Sequence, residues 1–219
     1  MVQAFPTTQL WEKMKWEQDL IKDIRTHTLY DDLCDDDENR IPRDNAHLWP
    51  WAEVTEANRN ALNERFLRVR DNCPAILEIG VCRNGENSHT HIFLKNKNPD
   101  TIYVGIDLDD KSFLDRKDQK IFTIKNNSTN VNLNFKKMQE EFGVTQFGFI
   151  FIDGNHSINQ VLADWEYTQW LMPGGIVGFH DTTHHPGPHY FVKNLNRDIW
   201  EVEENVCPND FGIGFCWRK

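Results

Sequence analysis

From residue 55 onward, short apolar runs alternate with stretches whose apolar positions recur at helical spacing. Residues 75–79, 103–106, 121–124, 147–152 and 176–179 are short and mostly apolar, with many β-branched or aromatic side chains, as strands buried in a parallel sheet require. Between them, 55–70 reads as a helix with Ala57, Leu62, Phe66, Leu67 and Val69 inward. A glycine-containing turn leads into a helix through His91 and Leu94, and 131–142 reads as a helix capped by Gly143. Residues 158–171 carry Ile158, Val161, Leu162, Trp165 and Leu171 at helical spacing, and Pro173-Gly174-Gly175 is expected to stop that helix. A loop at 184–189 and a short helix at 190–195 follow, and 200–203 and 212–217 read as a strand pair closing the sheet. The alternation predicts an α/β fold: a doubly wound, mostly parallel sheet with a C-terminal antiparallel strand pair.

Residues 1–72 read as an N-terminal helical and loop attachment, a substrate cap or dimer contact, ahead of a domain spanning 73–219. Residues 10–24 have one apolar face, 31–38 form an acidic run suited to a solvated loop, and Trp49 and Trp51 flank a proline. Composition narrows the partners. The chain of 219 residues is 39% hydrophobic, enough for one good core, and its formal net charge of −10 comes without a basic stripe, so no nucleic-acid partner is expected. Five cysteines without CxxC spacing fit a reduced chain better than a disulfide framework or structural zinc. With no apolar run of membrane length and no signal pattern at the N-terminus, no membrane partner is expected and the expected location is cytoplasmic.

The candidate chemistry gathers at strand ends. Strands 147–152 and 176–179 flank a crossover, so both finish on one edge of the sheet, where open α/β sheets bind ligands. Asp153 and His156 follow the first strand, and His180 and Asp181 the second. Gly80 and Gly85 follow strand 75–79, where the chain turns into a helix, but the spacing is not the GxGxxG of nicotinamide binders. Glu78 suits a cationic ligand. Asp107 and Asp109 close strand 103–106, a place where a carboxylate commonly binds ribose hydroxyls.

These stretches resemble the class I S-adenosylmethionine-dependent methyltransferases, a Rossmann-like family, and within it the small-molecule O-methyltransferases of the catechol and macrolide-sugar kind. The resemblance spans about residues 73–217 and rests on ILEIGVCRNGENS, GIDLDD and FIDGNHSINQVLADWEYTQWLMPGGIVGFHDT. It implies an enzyme that uses S-adenosylmethionine to methylate a hydroxyl on a small molecule or sugar. Glu78, Gly80 and Gly85 would lie near the methionine part of that cofactor, Asp107 on the ribose with Asp109 as its competitor, and Asn127 and Ser128 near the adenine. Asp153, His180 and Asp181 would hold a divalent cation, magnesium or manganese, with Asp153 and His156 catalytic and His156 the base. A homo-oligomer is also implied by analogy. The chain departs from the family at Asn84, where a glycine is usual, and at His180, where an acid is more frequent. Two alternatives stay open: a methyltransferase-like binding protein without turnover, and a metal-dependent hydrolase suggested by Gly154-Asn155-His156 and the histidines at 180, 184, 185 and 189.

Overall fold

The computed structural model describes residues 55–81, 88–183, 185–207 and 210–219. The expected helix at 10–24, the acidic run, Trp49 and Trp51, and Asn84, Gly85 and His184 lie outside the described residues. Among the described residues no helix is long and apolar enough to cross a membrane.

Seven strands form one sheet in the order β3-β2-β1-β4-β5-β7-β6. In chain order these are β1 (Ala75–Ile79), β2 (Ile102–Asp107), β3 (Ile121–Lys125), β4 (Phe147–Ile152), β5 (Leu171–His180), β6 (Trp200–Glu203) and β7 (Ile213–Arg218). The first five pair in parallel, and β7 runs antiparallel to both β5 and β6. The order reverses between β1 and β4, so the loops leaving those strands part there and open a crevice at their C-terminal ends.

Helices cover both faces. Helix α1 (Glu56–Val69) and α2 (His89–Asn96) lie on one side, where Phe66 and Phe93 pack edge-on with Phe149 and Phe151. Helices α3 (Val131–Phe142), α4 (Ile158–Trp165) and α5 (Pro186–Lys193) bury Phe135, Trp165 and Phe191 against the other. Strand alternation decides the sorting: Leu77 and Ile79 face the α3–α5 side, while Ile76 and Glu78 face α1 and α2. Gly143, at φ +76, caps α3 as expected.

Three local expectations are corrected. The helix after β4 ends at Trp165 and tightens into a 3-10 turn over Glu166–Trp170, which lets Trp170 stack on Phe135 with centroids 3.6 Å apart. Pro173-Gly174-Gly175 is therefore not a helix stop; it lies inside β5, at the register shift between the Phe147–Leu171 and Phe149–Ile176 pairs. Proline costs nothing there, because the β7 ladder begins only at Ile176. The stretch from Pro186 to His189 is helical rather than looped, since Pro186 occupies a first-turn position that needs no N–H. On α1 the buried face is Asn58, Ala61, Leu62, Phe66 and Val69, whereas Ala57 and Leu67 are exposed. The polar Asn58, not Ala57, keeps the helical register of that stripe.

Candidate active site

At the crevice the turns after β1 and β4 touch. Gly80 has φ +83, and a Cβ there would stand 2.0 Å from the Asp153 carbonyl oxygen, so only glycine permits the approach. A cavity of about 610 Å³ opens above it, lined among others by Gly80, Asp107, Asp109, Asn127, Ser128, Asp153 and His156.

The β1–β2 end of the cavity is polar and tightly satisfied. Asp107 Oδ2 accepts from the Val81 amide and Oδ1 from the Asp109 amide, both at 2.8 Å, and Lys111 Nζ stands 3.8 Å away. Asp109 is 85% exposed and only loosely faces Lys111. Ser128 Oγ accepts from Gln160 Nε2 at 2.8 Å, and the same nitrogen donates to Asp164 Oδ1 at 3.0 Å. Burial raises the Asp164 carboxyl to about 7. The Tyr167 hydroxyl holds the Ser128 carbonyl at 2.8 Å, so the loop bearing Asn127 and Ser128 is anchored from beneath.

Glu78 is a correction: it does not line this cavity. Its carboxyl turns to the α2 side, where the hydroxyls of Tyr103 and Thr90 donate to it. Burial is the largest influence on it and lifts its pKa to about 8, against the pull of those two hydroxyls. Gly80 does reach the cavity, as do Asp107, Asp109, Asn127 and Ser128.

The β4–β5 end is built of facing imidazoles and carboxylates. His180 Nδ1 lies 3.1 Å from Asp153 Oδ1 and 3.2 Å from Asp181 Oδ1. Asp181 Oδ2 meets His156 Nε2 at 2.6 Å, and the His156 ring stacks on His185 at 3.9 Å. Asp181 adopts φ 60, a left-handed conformation that Asp tolerates better than most residues and that often marks a functional turn. A Cβ on Gly187 would fall 1.8 Å from the His156 carbonyl oxygen, so the glycine lets α5 start close enough for His185 to stack. Burial pushes the Asp153 carboxyl up, but the charge and hydrogen bonds of His180 and His89 outweigh it and bring it to about 2. The same opposition holds Asp181 well below the carboxylate range and His180 well above the usual imidazole value, burial losing to the facing charges in both.

The ligand atoms of Asp153, His180 and Asp181 lie within 4.8 Å of one another, and so do those of His156, Asp181 and His185. His180 Nε2 is buried without a hydrogen-bond partner among the described residues. Two carboxylates and an imidazole at this spacing fit a divalent cation, and the nitrogen favours manganese, iron or zinc over magnesium. Sequence reasoning missed Asn58 and His89 altogether. His89 Nδ1 stands 3.3 Å from Asp153 Oδ2, and its position right after the glycine turn is the one signal that pointed to it. His185, in sequence one of a loop cluster of histidines, joins one of these two groups, whereas His189 Nδ1 meets the Thr182 carbonyl at 2.9 Å and belongs to neither.

Residues 77–182 match the family profile of a methyltransferase domain. The match covers a little under half of the chain, and its segment contains every cavity and ligand residue named above except His185. Among solved structures, MycE methyltransferase from the mycinamycin biosynthetic pathway, in complex with Mg, S-adenosylhomocysteine (SAH) and mycinamycin VI, is 16% identical with a TM-score of 0.54. That likeness covers 73% of this chain and 48% of MycE, so the chain spans about half of MycE's length. Apo CalS11, a TDP-rhamnose 3′-O-methyltransferase of calicheamicin biosynthesis, is 16% identical over 94% of each chain with a TM-score of 0.57. The O-methyltransferase from Bacillus cereus in complex with SAH is 14% identical over 80% of this chain and 91% of that one, with a TM-score of 0.51. At these identities the likeness shows the fold shared by methyltransferases. No curated protein matches the chain by sequence.

Proposed function

We propose that the chain is an S-adenosylmethionine-dependent O-methyltransferase that modifies a hydroxyl on a small molecule or sugar with the help of a divalent cation. The observation that carries this reading is one cavity, in a methyltransferase domain, shared by Asp107, Asn127 and Ser128 at one end and Asp153 and His156 at the other. S-adenosylmethionine supplies an electrophilic methyl group, and the cation supplies Lewis acidity that lowers the acceptor hydroxyl's pKa. Methyl transfer then asks the protein to align the acceptor oxygen with the methyl and to accept one proton.

Gly80 opens room for the cofactor's methionine part. Asp107, already fixed by two backbone amides, presents its carboxylate to the ribose hydroxyls, and Asn127 and Ser128 border the adenine. Asp153, His180 and Asp181 hold the cation. His156 Nε2 is tied to Asp181, which leaves Nδ1 as the nitrogen that takes the acceptor's proton at neutral pH. The stack on His185 keeps that ring from turning away. A sugar or phenol acceptor fits this polar rim, and residues 1–72 and 182–190 would shape its pocket, the former as a cap or a homo-oligomer contact. A cytoplasmic location and no nucleic-acid or membrane partner complete the proposal.

Calorimetric titration with SAH, with and without magnesium or manganese, tests it. Saturable binding is expected, weakened about tenfold to a hundredfold in Asp107→Ala, the weight of a charge-assisted hydrogen bond. Absence of binding under every condition would overturn the reading.

A further inference from the structure

Gln160 lines the cavity beside Ser128, and what its side chain does there is set by its place on α4. It stands three residues after Ser157, the N-cap of that helix, and Ser-x-x-Gln is the sequence of a capping box. Only half of the box forms. Ser157 Oγ accepts from the Gln160 backbone amide at 3.3 Å, but the Ser157 amide donates to Asn155 Oδ1 at 3.0 Å and has no need of the Gln160 side chain. That side chain turns to the cavity wall instead. Its Nε2 stands 2.8 Å from Ser128 Oγ and 3.0 Å from Asp164 Oδ1, and an amide nitrogen has two protons to give. Asp164, one turn further along α4, is wholly buried, so this brace is shielded from water. With the nitrogen spent, the polar atom that Gln160 offers a ligand is Oε1, to which no described residue donates. The reverse setting of the amide would require Ser128 and Asp164 both to donate to Oε1, and an ionised carboxylate has no proton for that.

We propose that Gln160 determines which base the cofactor site accepts, its Oε1 taking a hydrogen bond from the 6-amino group of adenine, with Asp164 as the positioning residue behind it. The inference rests on the S-adenosylmethionine reading above, which puts the base beside Asn127 and Ser128. Adenine carries N–H donors at its 6-position, whereas hypoxanthine and guanine carry a carbonyl oxygen there. An oxygen in that place would face Oε1 lone pair to lone pair, and both atoms would give up water without gaining a partner. A site that hydrogen-bonds a donor rejects an analogue lacking it more strongly than a site that reads shape alone. Holding the amide from two sides is what makes the choice, because a glutamine free to turn over would offer N–H to a carbonyl as readily as oxygen to an amine. Gln160 thus reads the base, a task separate from that of Asp107 on the ribose.

Calorimetry on the full chain with two probes tests this: SAH, and S-inosylhomocysteine, in which hypoxanthine replaces adenine. The wild-type protein is expected to bind the inosine analogue about 10- to 100-fold more weakly than SAH. Gln160→Ala should weaken SAH about three- to tenfold and leave the analogue nearly unchanged, so that the ratio between them collapses. Should Gln160→Ala not fold, Gln160→Met keeps the volume without the acceptor and reports the same ratio. Asp164→Ala is expected to lower the ratio, and Asp164→Asn, whose oxygen can accept the same bond, to keep it. An unmoved ratio in Asp164→Ala would remove Asp164 from the proposal. Wild-type protein that binds SAH and the analogue equally, or a preference that survives in the Gln160 variants, would overturn Gln160 as the reader of the base and leave the cofactor reading standing. A preference for the analogue would show that the amide presents its nitrogen to the cavity, which overturns the proposal as well. Wild-type protein that binds neither probe would overturn the cofactor reading and this inference together.

Discussion

Glu78 lies on β1 and Asp153 just past the end of the neighbouring β4, and both side chains are largely withdrawn from water, at 1% and 12% exposure. Their carboxyls are nevertheless driven in opposite directions, to about 8 and about 2. Desolvation pushes each upward; what differs is the company. Glu78 meets two neutral hydroxyls, which stabilise an anion only modestly, whereas Asp153 meets two imidazoles that carry or attract charge. The β1–β2 end of the rim is accordingly a settled hydrogen-bonded platform for a neutral or weakly charged ligand. The β4–β5 end concentrates opposite charges, an Asp181 in the left-handed region and a buried imidazole nitrogen that lacks a hydrogen-bond partner among the described residues. Chemistry is expected at the second end and binding at the first.

The largest effect should come from Asp181→Asn. Asp181 faces His180 with one oxygen and His156 with the other, so the amide strips the anion from two histidines at once. Removing one member of such a buried pair costs about 3–5 kcal/mol, and denaturant unfolding at neutral pH should register most of it. Activity and cation binding should fall below detection. The pH sign follows from two opposed shifts. The depressed Asp181 contributes stability that is present above the unfolded carboxylate pKa and is lost as pH falls through its folded value. The elevated His180 contributes stability that is present below the unfolded imidazole pKa and is lost as pH rises through its folded value. A variant as stable as wild type would mean that charge does not hold this end together.

Glu78→Gln probes the opposite end and should act more gently. A carboxyl whose folded pKa is raised from 4.5 to about 8 adds stability that is full below pH 4.5 and is lost as pH rises through 8. Asp164, raised to about 7, adds a second slope of the same sign. Wild-type melting temperature is therefore expected to decline between pH 5 and 8. Glutamine, which can still accept from Tyr103 and Thr90, should flatten that decline without weakening SAH. A parallel pair of curves would show Glu78 to be ionised in the folded protein after all.

How much of this was legible beforehand follows from which interactions are local. Strands such as Phe147–Ile152 and the Gly143-capped helix are written in consecutive residues, and the fold and the Asp153, His180 and Asp181 grouping followed from them. Pairings across the chain were not legible. Asn58, His89 and Asp210 are distant in sequence and meet only because α1 and α2 pack on the same face as Phe149 and Phe151. Pro173-Gly174-Gly175 misled because the residues that stop a helix also fit a bulge in a strand. Glu78 misled because strand end and strand face are separate matters: its position put it at the rim, and alternation turned it away.

The smallest expected effect separates the two acids that close β2. Asp107 is 15% exposed, with both oxygens engaged by backbone amides, while Asp109 is 85% exposed with one distant lysine. A carboxylate held by fixed donors loses little entropy when a ribose arrives, whereas a solvated one must give up water and rotamers to do the same work. Asp109→Ala should therefore change SAH affinity by less than about fivefold, the weight of an exposed charge, against the much larger loss in Asp107→Ala. Calorimetry on the two variants side by side decides it. A larger loss in Asp109→Ala would transfer the ribose to the exposed carboxylate and leave Asp107 as a brace for the turn at Val81.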